Sequence, residues 1–186
     1  MRFQNICAVF LCLAGLVVAA DIPRPSPDFV INLNDGSQLH LSQYRGKVVV
    51  LAFILTYCPH CQFTAQTLSG LQKEYGPQGI QVVASAIDPM ASMKVPDFIK
   101  QFQPGYPVGS NEHDAAVTYL QHPVMFRMMM PQLVFIDRKG TIRAQYAGDD
   151  EKFFDKATQE KNIREVIEPL LKENVTQAAH KKSASR

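Results

Sequence analysis

The stretch "LAFILTYCPHCQF" (Leu51 to Phe63) decides how this chain folds. It opens as a continuous apolar run and stops at two cysteines, Cys58 and Cys61, with Pro59 and His60 between them. Taken back to Val48, the run "VVVLAFIL" shows none of the alternation of a half-exposed strand, so it reads as a strand buried on both faces. Downstream, "QFTAQTLSGLQKEYG" places apolar residues at 63, 68, 71 and 75, close to helical spacing, with Gly76 at its end. Cys58 therefore stands where a buried strand meets the N-terminus of a helix.

Unpaired backbone N–H groups and the positive end of the helix dipole favour an anion at such a place, and the thiolate is the reactive form of cysteine. Cys61, three residues on, falls in the first helical turn on the same side and can close a disulfide. In such a pair one sulfur attacks a partner and the other resolves the mixed disulfide. Pro59 suits the first turn of a helix. A protonated His60 would add a donor and a positive charge near Cys58, stabilising the reduced pair and making the disulfide more oxidising. The plainer reading of His60 is a solvated loop residue.

The chain has 186 residues, 46% of them apolar, enough for one domain with a real core. Its 19 basic and 17 acidic residues give a net charge of +2, too balanced to argue for nucleic acid. Arg2, the apolar "ICAVFLCLAGLVV" and the small-residue end "VAA" (Val18 to Ala20) have the pattern of a cleaved secretory signal peptide over residues 1–20. The apolar run is short for a membrane span of ~20 residues. An uncleaved anchor is the alternative, and the only route by which a membrane becomes a partner. Cleavage before Asp21 removes Cys7 and Cys12 and leaves Cys58 and Cys61 as the only thiols. An exported compartment permits disulfides, but a bridge over so short a loop constrains the unfolded chain little, which argues against a mere staple.

The rest of the chain alternates strand and helix. "DIPRPSPDF" reads as an extended, semi-rigid lead-in over residues 21–28. Two short apolar runs around Asp35-Gly36 read as a hairpin. "IQVVASAID" (Ile80 to Asp88) is a second buried strand, and helices are expected over Val95–Gln103 and Asn111–Gln121. "PQLVFIDRKGTIRAQYAG" (Pro131 to Gly148) makes two strands about a turn at Arg138–Gly140. A last helix is expected from about Lys152 to Glu173, kinked or broken at Pro169. The domain then spans 29–173 and a polar, basic tail 174–186. The class is α/β, with a central mixed β-sheet flanked by helices and an N-terminal β-hairpin.

With these residues in hand the chain resembles the thioredoxin superfamily, and within it the exported TlpA/ResA-like thiol–disulfide oxidoreductases. The likeness runs through "GKVVVLAFILTYCPHCQF" and "MPQLVFIDRKGTIRAQYAG" and covers roughly Phe29 to Leu171. It implies a thioredoxin-like fold, Cys58 as nucleophile, Cys61 as resolving cysteine and Pro131 as a cis-proline facing the pair. Tyr57, Met130 and Pro131 would then touch substrate. Tyr57 stands where these families usually place tryptophan. The buried aspartate of thioredoxins is replaced by Ala52, and the glutamate of ResA-like reductases by Thr64. The "CPHC" motif is that of DsbA-type oxidases, although their long helical insertion is missing.

These readings point to disulfide exchange with protein substrates, in a direction the sequence leaves open, with a second redox partner to regenerate the pair. No organic cofactor and no metal is expected beyond the Cys58–Cys61 disulfide itself. The alternative is a Sco-like copper-delivery protein, with His113, His122 or the methionines of "HPVMFRMMMP" completing a Cu(I) site. Sco-type proteins, however, usually have three residues between their cysteines. A peroxiredoxin-type peroxidase is disfavoured because Leu55 stands where a threonine or serine is needed. A non-catalytic binding module has no use for the paired thiols.

Overall fold

The computed structural model describes residues 21–183. The signal-peptide reading of residues 1–20 lies outside the described residues. Eight strands form one sheet: β1 (Arg24–Pro25), β2 (Val30–Asn32), β3 (Gln38–His40), β4 (Val48–Ile54), β5 (Ile80–Ala86), β6 (Val108–Ser110), β7 (Gln132–Ile136) and β8 (Thr141–Ala147). Their spatial order is β1-β8-β7-β4-β5-β6-β2-β3. β4 pairs in parallel with β5, and β5 with β6, while the remaining pairs are antiparallel, so the sheet is mixed. Among the described residues there are five α-helices: α1 (Pro59–Tyr75), α2 (Ala91–Phe102), α3 (His113–Leu120), α4 (Glu151–Phe154) and α5 (Gln159–Ser183).

All seven residues of β4 are buried, because both faces of the sheet are covered. Successive side chains of a strand point to opposite faces. Val48, Val50, Ala52 and Ile54 accordingly enter a core with Leu68 and Leu71 of α1 and Ile163 and Ile167 of α5. Val49, Leu51 and Phe53 enter a second core on the other face, with Phe29, Ile31 and Leu120. There Phe53 meets Phe29 edge-on at 5.3 Å. The strand carrying "LAFIL" is thus clamped between two cores, which gives its C-terminal end a firm base from which to present a reactive group.

Several expectations are corrected. The proline-rich lead-in belongs to the sheet: β1 pairs with β8, and the buried Arg24 donates to the Tyr119 carbonyl and to Gln145 Oε1, both at 3.0 Å. α2 starts a turn earlier than expected, at Ala91, with the exposed Pro96 inside it. The C-terminal helix breaks at 155–158 rather than at Pro169. Asp150 caps α4 by accepting the Phe153 N–H, and Asn162 Nδ2 donates to the Lys152 and Phe153 carbonyls, satisfying the backbone at the break. Pro169 lies on the solvent face of α5, between Ile167 and Leu170, which anchor the helix in the core. α5 continues to Ser183, so most of the segment read as a tail is helix.

Candidate active site

β4 ends at Ile54, and residues 55–57 turn the chain into α1. Cys58 is the N-cap of that helix, extended at φ −80°, ψ 121°, with Pro59 following in the first turn. Its N–H donates to the Leu55 carbonyl at 3.1 Å, and its carbonyl accepts the first helical bond from Gln62 N–H at 3.0 Å. The Cys58 side chain makes no capping bond, so its half-buried sulfur is left at the positive end of the helix. Cys61 lies one turn in and is fully buried. Both are free thiols, and the Leu55 N–H points at the Cys61 sulfur at 3.4 Å.

The two sulfurs therefore differ in environment. Burial pushes the Cys61 thiol well above the ordinary cysteine range; the Leu55 N–H opposes this in part, while Cys58 and, least, Asp88 add to it. Cys61 stays protonated at neutral pH. This has a measurable consequence. In the unfolded chain Cys61 titrates near 9.0, whereas in the folded dithiol it keeps its proton. The stability this confers is complete below that pH and falls as pH rises beyond it, by about 1.4 kcal/mol per pH unit. Unfolding free energies of the reduced protein from urea titrations should hold level to about pH 8 and reach this slope above about pH 9, and Cys61→Ser should flatten it. The buried tyrosines add to the decline only from their ordinary value near 10, since Tyr119, pushed up to about 12 by burial, also keeps its proton in the fold.

Pro59 and His60 are exposed on the first turn of α1, and His60 makes no hydrogen bond or ion pair among the described residues. Tyr57 is 62% exposed, its ring lying beneath Lys94 Nζ at 5.5 Å. The Met130–Pro131 peptide is cis, with Met130 half-buried and Pro131 buried. Gly148 lets β8 close on this segment, since a Cβ there would meet the Met130 carbonyl at 2.5 Å. Between the Cys58 turn and residues 126–130 lies a groove of about 590 Å³, floored by Leu55, Tyr57, Ile87, Phe126, Met128 and Met130. Its polar rim is Glu112, His113 and Arg127. Every methionine after Met1 lies in residues 90–93 or 125–130, and none is in the core. Val124, Met125 and Phe126 stand out from the surface at 86%, 90% and 61% exposure. Methionines so placed make an adaptable apolar surface.

The histidines of the copper alternative do not gather with the cysteines into one cluster. His113 sits on the groove rim beside Asp114, and His122 Nε2 is 3.1 Å from the Phe126 carbonyl oxygen. Among the described residues no group of three or more His, Cys, Asp or Glu is placed to hold a metal ion.

The sequence reading missed the carboxylate that the site does contain. Ala52 is buried in β4, and Thr64 is buried with its hydroxyl accepting from Gln159 Nε2, so neither family position supplies an acid. Asp88, just past β5, does. Its fully buried carboxylate accepts the Thr56 N–H at 3.0 Å and the Thr56 hydroxyl at 2.9 Å, and pairs with Lys94 at 3.1 Å. The signal was present in the parallel register, which sets Ile54 opposite Ala86 and so brings residues 56 and 88 together beyond the strand ends.

Residues 22–145 match the AhpC/TSA family. The thiol-disulfide oxidoreductase ResA of Bacillus thuringiensis subsp. konkukian is 26% identical over 133 residues, 71% of this chain and 73% of that protein. A structure from Chlorobium tepidum, titled as a candidate thiol:disulfide interchange protein DsbE, superposes with a TM-score of 0.65 at 24% identity, over 81% of this chain and 98% of its own. One from Bacteroides thetaiotaomicron, titled as a candidate protein disulfide isomerase, gives 0.64 at 28% identity, over 85% and 94%. The mixed sheet with helices on both faces is the thioredoxin-like fold.

Proposed function

The chain belongs to the AhpC/TSA family, and on that premise we propose that it is an exported thiol–disulfide oxidoreductase exchanging disulfides with protein substrates through Cys58 and Cys61. The observation that carries this reading is the contrast between the two sulfurs: one reachable at a helix N-terminus, the other buried and protonated one turn behind it. In the reducing direction the Cys58 thiolate attacks one sulfur of a client disulfide. The client S–S bond breaks, its first thiolate leaves, and Cys58 is joined to the client in a mixed disulfide. Cys61 then gives its proton to water and attacks the Cys58 sulfur, releasing the second client thiolate and closing Cys58–Cys61. The oxidising direction runs the same steps backwards. The sulfurs carry both electrons, so no metal or organic cofactor enters. A further redox protein must restore the starting state after each turnover.

The groove beside Tyr57, Met130 and Pro131 suits an extended apolar segment of the client, held so that its sulfur meets Cys58. The direct test is turnover together with the Cys58–Cys61 reduction potential. The reduced protein should cleave insulin disulfides or the oxidised protein should convert a dithiol peptide to its disulfide. A chain that does neither is not an oxidoreductase of this kind. A potential near about −270 mV makes it a reductase in its compartment, and one near about −120 mV an oxidase.

A further inference from the structure

Asp88 has no access to water, yet it carries a charge beside a redox site. A buried carboxylate persists only with hydrogen bonds and a counter-charge. Here two of its partners belong to one residue, Thr56, and the third is Lys94 of α2. Thr56 is the middle of the three-residue turn between β4 and Cys58. Leu55, on one side of it, directs its N–H at the Cys61 sulfur. Tyr57, on the other side, carries the ring beneath Lys94 and leads directly into Cys58. Gln62 Nε2 closes the loop from α1 by donating to the Thr56 carbonyl at 3.0 Å. One carboxylate thus grips the centre of a segment whose flanks touch the buried sulfur and carry the reachable one. The other charged or titratable groups near Asp88 are Glu112, His113 and Arg127 across the groove, and neither Glu112 nor Arg127 makes an ion pair among the described residues.

Resting on the exchange reading above, we propose that Asp88 is a positioning residue of the redox pair: with Lys94 as its counter-charge it fixes the Leu55–Tyr57 turn and through it holds the Cys61 sulfur against Cys58. The closing of the Cys58–Cys61 disulfide is intramolecular, so its favourability depends on how well the two sulfurs are held, that is, on their effective concentration. Cys58's first attack on an external disulfide needs only access. Loosening the turn should therefore weaken disulfide closure more than it weakens the first attack.

The experiment equilibrates the protein with glutathione and its disulfide. One glutathione disulfide takes two electrons and two protons from the dithiol, giving Cys58–Cys61 and two glutathione thiols. In Asp88→Asn the constant for closing the protein disulfide should fall at least about tenfold, which corresponds to about 30 mV towards a more oxidising couple. Thr56→Val leaves the Asp88–Lys94 pair intact and removes only the hydroxyl grip. It should shift the constant the same way by about threefold. The rate at which Cys58 first captures glutathione should stay within about threefold in both. A constant unchanged in the folded variants overturns the proposal. Thr56→Val decides the matter if Asp88→Asn does not fold. A parent chain that never exchanges with glutathione would instead remove the reading on which the proposal rests.

Discussion

Replacing Cys58 with alanine is expected to abolish exchange, cutting insulin reduction or dithiol oxidation by about 10³-fold or more. The size follows from the site's geometry. Cys61 cannot act as the first nucleophile, because its sulfur is fully buried and burial keeps it protonated. No other cysteine lies in the described residues. The loss can be assigned to chemistry rather than to unfolding. Cys58 makes no side-chain capping bond and is only half-buried, so alanine there should change stability by less than about 1 kcal/mol. Near-normal activity in a folded Cys58→Ala protein would sink the assignment of Cys58.

Cys61→Ser should do something different. The first attack still occurs, but nothing inside the protein resolves it, so a covalent Cys58–client adduct accumulates. Turnover should then fall by about 10³-fold or more, since any external thiol must compete with a partner held in place. The adduct would appear on a non-reducing gel as one band that collapses with dithiothreitol. The buried serine hydroxyl can still accept the Leu55 N–H, so the cost in stability should be modest, about 1–2 kcal/mol. Continued turnover without an adduct would mean that Cys61 is not the resolving group. Trapping also supplies the client's identity, because the captured segment can be sequenced from the adduct.

The parts of the fold that could be read in advance are those where local chemistry leaves little choice. The unbroken apolar runs of β4 and β5 have one stable environment, between two layers. Asp35-Gly36 and Arg138–Gly140 supply turns, with Gly36 at φ 83° and Gly140 at φ 81°. The placement of Cys58 and Cys61 was legible because two cysteines at the junction of a buried strand and a helix form a local pattern. Asp88 was not. Its role depends on Thr56, 32 residues away, and only strand register brings them together. The break before Gln159 was hidden for a similar reason. The bonds that stabilise it come from Asn162, inside the next helix, and compete with a Pro169 that looks more disruptive but faces water. The arrangement of "HPVMFRMMM" was illegible because only tertiary packing separates Met128 and Met130, set against the core, from Met125 and Met129, which are exposed.

The prolines at 23, 25 and 27 looked like a spacer, but their alternation matches the pleat of β1. The Ser26 N–H points inward to the Gly140 carbonyl at 2.8 Å, and Arg24 sits opposite Ile142 in the same register. The outward-facing positions at this end of the sheet are therefore the prolines, which have no N–H to offer. A ninth strand cannot dock there by backbone donation from β1, whether it comes from a neighbouring copy or from an incompletely folded client. Under the proposed exchange reading, in which the protein would meet other chains, that border denies strand pairing at the β1 edge while leaving the sulfur end open.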